Sequence, residues 1–211
     1  MMEIRLPAIL KSSFVAITAL ICVNIYAQQN NDLQKEAEYK KAVTPRVAKI
    51  VNTLALTDSV KYYKTLQVVI DQYAKVNAVH ELTEEEKKSS QLLQLHKDFI
   101  AHLKESLTDE QVEKIKDGMT YNVLHVTYTA YEDMLLNLTT EQKQKIYNWL
   151  TEARELAMDE GSSEKKHAVF GKYKGRINNY LSAEGYDMKK EGEEWQKRIK
   201  EREAAKKEQK N

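Results

Sequence analysis

A helix-start signal recurs along this 211-residue chain and limits the folds open to it. Leu-Thr pairs end at Thr57, Thr83, Thr108 and Thr139, and helical apolar spacing follows each pair. After the last three pairs, a Glu or Gln stands three residues beyond Thr, which is the spacing of a capping box. In a capping box the Thr hydroxyl and the Glu or Gln side chain satisfy backbone N–H groups at the start of a helix. The sequence therefore predicts a helix start at each of these sites.

Helices are favoured along the whole chain, because only two prolines occur and charged residues make up 31% of it. We predict an all-α fold, a single-domain helical bundle of about six to seven helices with short capped turns. Thr44 and Pro45 are interpreted as N-cap and first residue of a helix, where the missing N–H of proline costs nothing. Residues 161 to 163 predict a tight turn between antiparallel helices, and Gly118 and Gly185 suit the position after a C-cap.

Apolar spacing gives three helices an expected buried face. The first helix is expected to bury Val47, Ile50, Val51 and Leu54. The second, from about residue 59 to 79, is expected to bury Val60, Tyr63, Leu66, Ile70 and Tyr73. The third carries on one side Leu92, Leu93, His96, Phe99, Ile100 and Leu103. The histidine of this face is interpreted as a satisfied core residue rather than as a ligand.

Residues 119 to 126 combine β-branched side chains, which permit an extended segment, with a helical period. We predict an irregular opening at 119 to 124, followed by a helix to about Asn137. If that helix extends further back, one face carries Tyr121, His125, Tyr128 and Glu132. Such a face would be either the wall of a binding site or a half-buried tyrosine layer.

The N-terminus has the order of a secretory signal peptide. Basic residues precede a short apolar run, and the small residue Ala27 precedes a polar stretch. We therefore predict a signal peptide at 1–27 and a periplasmic or secreted protein, since the run is too short for a stable membrane span. Lipid attachment at Cys22 is the alternative, which the bulky Ile21 before it disfavours.

Cleavage would leave a helical domain at 28–187 and a charged C-terminal helix or tail at 188–211. This tail is expected to dock through Trp195 and to fray after about Arg202. Because Cys22 is the only cysteine, the mature chain would have no thiol chemistry. The net charge is only +1, so the sequence gives no reason to expect a nucleic-acid partner.

The segment 167–187 has an unusual composition. Its apolar face consists of Phe170, Tyr173, Ile177, Tyr180 and Leu181. The opposite stripe contains Gly171 and Gly175, each of which costs a helix about 1 kcal/mol relative to Ala. Two glycines on one stripe suggest the close approach of either a neighbouring helix or a ligand.

No catalytic motif is found. The five histidines form no pair with the spacing of a helical metal site, and the carboxylates fall on faces rich in lysine. We therefore expect no cofactor and no metal.

Twelve tyrosines remain as the main chemical feature. Tyr, His, Arg and Asn side chains stack on sugar rings and form hydrogen bonds with hydroxyl groups. The candidate ligand-binding residues are Tyr121, His125, Tyr128, His167, Tyr173, Arg176, Asn178, Asn179 and Tyr186.

Two family resemblances add to this interpretation. Residues 107–111 and 138–142, Leu-Thr-x-x-Gln in both cases, resemble the motif of the Spy/CpxP group of periplasmic helical chaperones. The tracts 116–121, 128–134, 161–167 and 171–187 resemble a family of exported proteins from Bacteroides-like bacteria. That family is classed as a domain of unknown function and has been suggested to bind sugars. The second resemblance implies a glycan-utilisation setting and supplies no catalytic residue.

We therefore expect a non-enzymatic exported binding protein whose ligand is a carbohydrate. The alternative is a periplasmic chaperone-like protein with a protein partner, and an enzyme without a recognised motif comes third. A sugar site would require the aromatic and amide side chains to converge in one place, whereas a chaperone would require an exposed apolar or basic concave surface.

Overall fold

A computed structural model describes residues 8–208, with side chains from residue 30 onward. The predicted all-α class is confirmed, because these residues form eight helices and no strand. The helices are α1 (Ala8–Asn52), α2 (Ser59–His80), α3 (Glu85–Lys104), α4 (Asp109–Met119), α5 (Val123–Met134), α6 (Thr140–Met158), α7 (Ser163–Ala183) and α8 (Met188–Glu208). Residues 1–7 of the predicted signal peptide lie outside the described residues. For the rest of it, residues 8–27, only the backbone is described.

The chain divides into two compact units at Pro45, inside α1. Because Pro45 is interior to the helix, the predicted helix start at Thr44 is wrong. The Thr44 hydroxyl instead donates to the carbonyl of Lys40 at 2.7 Å, as Thr side chains do within helices. In the second unit, the expected face of the last turns of α1 is confirmed by the burial of Val47, Ile50, Val51 and Leu54.

Two of the three predicted capping boxes are confirmed. The hydroxyls of Thr108 and Thr139 accept from the third backbone N–H of α4 and α6, and Gln111 and Gln142 accept from the N-cap N–H in return. The box expected at Thr83 is wrong, since α3 begins one residue later with Glu84 as an N-cap that forms no side-chain bond.

The buried face of α2 was predicted correctly only in its C-terminal half. Ile70 and Tyr73 are buried, whereas Val60 and Tyr63 are 76% and 67% exposed. Buried residues of α2 begin at Thr65, so the described part of the chain does not fully bury any side chain of its first turns. On α3, Phe99 and Leu103 are buried as expected, but Leu93 is exposed.

One apolar core cluster of the second unit lies between α5, α6 and α7. Helices α6 and α7 are antiparallel, as predicted, because Lys166 at the start of α7 contacts the end of α6 and Glu184 contacts Gln142. Ser162 caps α7. Gly185 follows its C-cap with a φ of +98°, a conformation that glycine adopts without a Cβ penalty.

The C-terminal helix α8 packs on the same chain through Asp133, at the end of α5. Trp195 Nε1 donates to the Asp133 carboxylate at 2.6 Å, and Arg202 donates to both of its oxygens at 2.9 and 2.6 Å. Arg202 and then Trp195 lower the pKa of Asp133 to about 2 through these hydrogen bonds. Docking by Trp195 is therefore confirmed, and the helix extends beyond Arg202 to Glu208.

Over the described part of the chain, no helix has both the length and the apolar character that crossing a bilayer would need.

Candidate functional site

A turn between α4 and α5 places two non-glycine residues in the left-handed backbone region. Tyr121 and Asn122 have φ values of 58° and 57°. The N–H of Tyr121 donates to Gly118 O at 3.4 Å, and the N–H of Asn122 donates to Asp117 O at 2.7 Å. These two bonds close the end of α4 in a Schellman motif, in which glycine is the usual left-handed residue. Tyrosine costs about 1–2 kcal/mol in this conformation, so its presence requires a reason beyond the turn.

The irregular opening expected at 119–124 is thus confirmed, although it is limited to residues 120–122. Because α5 begins only at Val123, Tyr121 does not share a helix face with His125 and Tyr128. The alternative in which the helix extends back to Tyr121 is wrong.

The ring of Tyr121 lies near two basic side chains. We call Arg46, Tyr121 and His167 the Tyr121 surface. The ring centroids of Tyr121 and His167 are 5.3 Å apart, with 30° between the ring planes. The guanidinium carbon of Arg46 lies 5.7 Å from the Tyr121 centroid, within the range of a cation–π contact. All three residues are exposed, Tyr121 to 37%.

The tautomer of His167 follows from its partner. Its Nδ1 lies 2.8 Å from the carbonyl oxygen of Ser163. Since a carbonyl oxygen can only accept, Nδ1 carries the hydrogen. Nε2 therefore remains as an acceptor when the ring is neutral and as a donor when it is protonated.

Lys166 is buried next to this surface. Its Nζ donates to the carbonyls of Ala157 and Met158, both at 2.9 Å, and so satisfies the end of α6. Burial lowers the pKa of Lys166 to about 8; Asp159 and Glu160 act in the opposite direction, and the positive charge of Arg46 adds to the lowering.

A network of ion pairs connects α3, α4 and α6, with Arg154 at its centre. The Arg154 side chain is only 3% exposed. It donates to Asp117 at 2.7 Å, to Glu155 at 3.0 Å, and to Glu113. Burial alone would lower the pKa of Arg154, but its hydrogen bonds with Asp117 and Glu113 outweigh burial and raise it. The guanidinium therefore satisfies three carboxylates at once.

His96 continues the network towards the end of α6. Its Nδ1 lies 2.9 Å from Asp159 Oδ2 and its Nε2 lies 3.5 Å from Glu155 Oε2. Only a protonated imidazole can donate on both sides. The hydrogen bond with Asp159, followed by that with Glu155, raises the pKa of His96 to about 9. His96 is thus satisfied by carboxylates, as predicted, but it is half-buried and does not lie in the core.

Positive and negative groups are nearly equal in number in this network. The cations His96, Lys116 and Arg154 face four carboxylates, those of Glu113, Asp117, Glu155 and Asp159. Asp117 also accepts from Nε2 of the exposed His125 at 2.9 Å. Among the described residues, no group of three His, Asp or Glu side chains is arranged to hold a metal ion. We interpret the network as the scaffold that fixes α4 and the turn containing Tyr121.

The raised pKa of His96 makes the stability of the fold depend on pH. Because the folded-state value of about 9 exceeds the ordinary 6.5, folding takes up a proton between these two values. The stabilisation is fully present below pH 6.5 and is lost as the pH rises through 9, with a magnitude on the order of 2 kcal/mol. Denaturant unfolding of the wild type and His96→Gln should therefore differ most near pH 6 and least above pH 9.

The difference in stability between wild type and His96→Gln does not contain the contribution of Lys166, because that contribution is the same in both proteins. Its lowered pKa of about 8 makes stability rise between about pH 8 and 10.5, and it does so in both proteins. A difference between wild type and His96→Gln that stays constant from pH 6 to 10 would show that His96 acts through packing instead of charge.

The other candidate residues lie in separate places. Arg176 stacks on Trp149 with 4.5 Å between the guanidinium carbon and the ring, and it pairs with Glu152 at 3.6 Å. Tyr173 lies near Arg176 and packs against the α5–α7 core. Burial, followed by a hydrogen bond with Glu152, raises the pKa of Tyr173 to about 12. In this group of Trp149, Tyr173 and Arg176, the guanidinium of Arg176 therefore already lies over the indole ring.

Four further candidates contribute to packing or stand apart. Asn178 accepts from the Tyr131 hydroxyl at 2.7 Å, and the Tyr186 hydroxyl donates to Asn137 O at 3.0 Å. The Tyr128 ring meets that of Tyr147 edge-on at 5.3 Å. Asn179 is exposed on α7.

The nine candidates do not converge in one cleft. His167 and Asn178 alone are separated by about 16 Å along the axis of α7. Of the predicted set, the structure brings together Tyr121 with His167, and Tyr173 with Arg176.

The glycine stripe of α7 is open to solvent. A Cβ added at Gly171 or Gly175 would meet no atom within 4 Å. Of the two expected alternatives, the neighbouring helix is therefore absent from the described residues, and these glycines are not required for packing.

A polar cleft of about 410 Å³ lies between α3 and α7. Its walls are formed by His80, Glu85, Lys88, Ser89, Leu92, Glu160, Lys165, Ala168, Val169 and Lys172. It contains no tyrosine or tryptophan, so it lacks the apolar ring face that a sugar would stack against.

Sequence analysis missed Arg46 as a site residue. It follows Pro45 in the middle of a helix and belongs to no recognised motif. A signal was present for Lys166 and Tyr121, because both lie in the tracts that carried the family resemblance, 161–167 and 116–121.

Comparisons with known proteins agree with that resemblance at the level of the family. No curated protein matches the chain. Residues 40–88 and 81–201 match the family described as a protein of unknown function, DUF3826. These segments include most of the 211 residues. The chain therefore belongs to the DUF3826 family, whose function is not established.

Proposed function

We propose that this protein is an exported, non-enzymatic binding protein that takes a carbohydrate ligand at the Tyr121 surface. The observation that carries the proposal is the left-handed conformation of Tyr121. Glycine would close the same turn at lower cost. A tyrosine that is held there, partly exposed and next to His167 and Arg46, is better explained by its ring than by its backbone.

The chemistry of the surface suits a sugar. A pyranose has apolar C–H faces that stack on aromatic rings and a rim of hydroxyl groups that form hydrogen bonds. The Tyr121 ring offers the stacking surface, while His167 Nε2 and the guanidinium of Arg46 offer an acceptor and several donors next to it. The aromatic group around Trp149 is a weaker candidate, because the guanidinium over its indole, that of Arg176, is already paired with Glu152. The guanidinium over Tyr121 forms no ion pair within residues 30–208.

Export and a glycan-utilisation setting are part of the same proposal. The support for export is the order of basic, apolar and small residues at 1–27. Purification from the periplasm of a Gram-negative host and determination of the mature mass test it. A mature N-terminus at Gln28 is expected, and an uncleaved chain in the cytoplasm would contradict export.

The chaperone-like alternative has less support. Its motif, Leu-Thr-x-x-Gln, is used here for capping boxes at the starts of α4 and α6. A helix cap explains these residues without a role in binding unfolded chains.

The Tyr121→Gly variant separates binding from folding. It removes the aromatic ring and gives the turn the residue that best tolerates a positive φ, so we expect an unchanged or slightly raised Tm. The measurement is Tm with and without plant and host oligosaccharides. A ligand at 100 times its Kd stabilises wild type by about 2.7 kcal/mol. We expect one ligand class to give this shift in wild type and none to give it in Tyr121→Gly.

Tyr63→Ala is the matched control, because Tyr63 is an exposed tyrosine of α2 that lies outside the surface. It should keep the full ligand-induced shift. A shift that persists in Tyr121→Gly would assign the ligand to another surface. No shift with any oligosaccharide would contradict the carbohydrate proposal and favour a protein partner, to be tested by suppression of aggregation.

A further inference from the structure

Arg46 differs from every other arginine that the structure describes. Arg154, Arg176 and Arg202 each pair with at least one carboxylate. Arg198 donates to the carbonyls of Asp133 and Met134. Within residues 30–208, the guanidinium of Arg46 has no carboxylate in salt-bridge range and donates to no protein acceptor. It lies over the ring of Tyr121.

The surroundings of Arg46 add positive charge to it. Lys166 is close enough for the two cations to interact unfavourably. The Nζ of Lys166 donates two hydrogen bonds to the end of α6, at the carbonyls of Ala157 and Met158. The nearby carboxylates Asp159 and Glu160 interact with Lys166, and neither forms a salt bridge with Arg46. The Tyr121 surface therefore has an exposed cation without a counter-ion from the described residues.

An exposed guanidinium beside an aromatic ring can bind an acidic sugar in two ways at once. Its fork of N–H groups matches the two oxygens of a carboxylate or the oxygens of a sulfate ester. The sugar ring that carries the acid would then lie against the neighbouring Tyr121 side chain. The second ring nitrogen of His167 can bond to a hydroxyl on the same face of the site.

We propose that the carbohydrate bound at the Tyr121 surface carries an acidic group, and that the guanidinium of Arg46 binds this group. The inference rests on the proposed carbohydrate function and narrows its ligand class to uronate-containing or sulfated glycans. Arg46 then determines which glycans are bound, whereas Tyr121 contributes stacking to any of them.

Titration calorimetry with ligands that differ only in charge tests the inference. The purified full-length protein is titrated with homogalacturonan oligomers of one length, either as free acids or as methyl esters. Oligomers of glucuronate and mannuronate, sulfated galactan oligomers and neutral oligosaccharides complete the set. We expect at least one acidic ligand to bind at least tenfold more tightly than its neutral counterpart, with affinity that falls as salt is raised from 0.05 to about 0.5 M.

Two arginine variants locate the effect. Arg46→Gln should abolish the preference for the acidic member of the pair while leaving Tm unchanged, because Arg46 is exposed. Arg176→Gln is the matched control, since Arg176 is also exposed and also lies over an aromatic ring. It should leave the preference intact. Comparison of uronate with sulfated oligomers identifies which acid is recognised.

The outcomes separate this inference from the broader proposal. If wild type binds neutral and acidic oligomers equally, or only neutral ones, the protein binds glycans and the role assigned to Arg46 is wrong. If an acidic preference persists in Arg46→Gln, the acid binds elsewhere. If no oligosaccharide of either kind binds, both proposals fail together.

Discussion

Replacing Arg154 with methionine is expected to lower the free energy of unfolding by about 3–5 kcal/mol. Methionine preserves much of the volume of this nearly fully buried side chain, so the loss is mainly one of charge. Without the guanidinium, the carboxylates of Glu113, Asp117 and Glu155 lose their shared cation, and they remain charged in partly buried positions. For a domain of this size the change corresponds to a fall in Tm of about 10 °C.

Denaturant unfolding at pH 7 measures this effect, with Arg176→Met as the control. Arg176 forms an exposed pair with Glu152, which is worth about 0–1 kcal/mol. Adding Glu113→Gln and Asp117→Asn to Arg154→Met should recover part of the loss, because two uncompensated charges are then removed. A loss below about 1 kcal/mol for Arg154→Met would mean that the three carboxylates reach water, and that the network does not fix α4.

The sequence predicts a helix end correctly where a few neighbouring residues determine it. The capping boxes at Thr108 and Thr139 and the cap at Ser162 depend on a few neighbouring residues, and each is found as expected. The left-handed Gly185 is of the same kind. The cap predicted at Thr83 follows the same rule but is wrong, since α3 starts at Glu85.

Predictions failed where distant parts of the chain decide the local structure. Gly118 was assigned to the end of α4, yet the helix continues past it and Tyr121 takes the left-handed position. Likewise, the amphipathic pattern of α2 extends back to Val60, but Val60 and Tyr63 stay exposed among the described residues. Apolar spacing indicates which face of a helix could be buried, and only the tertiary fold determines how far along the helix the covering surface extends.

In the candidate site too, the residue types could be predicted from the sequence, whereas their contacts depend on distant parts of the chain. Tyr121 and His167 were both named from the sequence, but their pairing depends on the meeting of the α4–α5 turn with the start of α7. Arg46 reaches them from the second half of α1, 75 residues before Tyr121. The partners of His96 lie about 60 residues away in sequence. Because no local pattern encodes such pairings, one sequence alone could supply the residue types but not the site.

The close approach of α1 and α4 at Gly118 should make this position intolerant of any side chain. A Cβ added there would lie 2.6 Å from Cγ2 and 2.9 Å from Cγ1 of Ile50. These atoms adjoin the backbone of a buried, β-branched residue, so they have little room to move. Gly118→Ala gains about 1 kcal/mol in helix propensity. We still expect a net destabilisation of about 1–3 kcal/mol, and about 3 kcal/mol or more for Gly118→Val.

Equilibrium unfolding of a double-mutant cycle with Ile50→Ala tests whether the contact is the cause. Removing both Cγ atoms of Ile50 should eliminate most of the cost of Gly118→Ala, giving a coupling energy of about 1 kcal/mol or more. Gly171→Ala and Gly175→Ala are the controls: they lie inside α7 with open space around them, so each should stabilise the fold by about 0.5–1 kcal/mol. If Gly118→Ala stabilises the protein to the same extent, α1 and α4 can separate at no cost, and the position of Arg46 beside Tyr121 is not fixed by this contact.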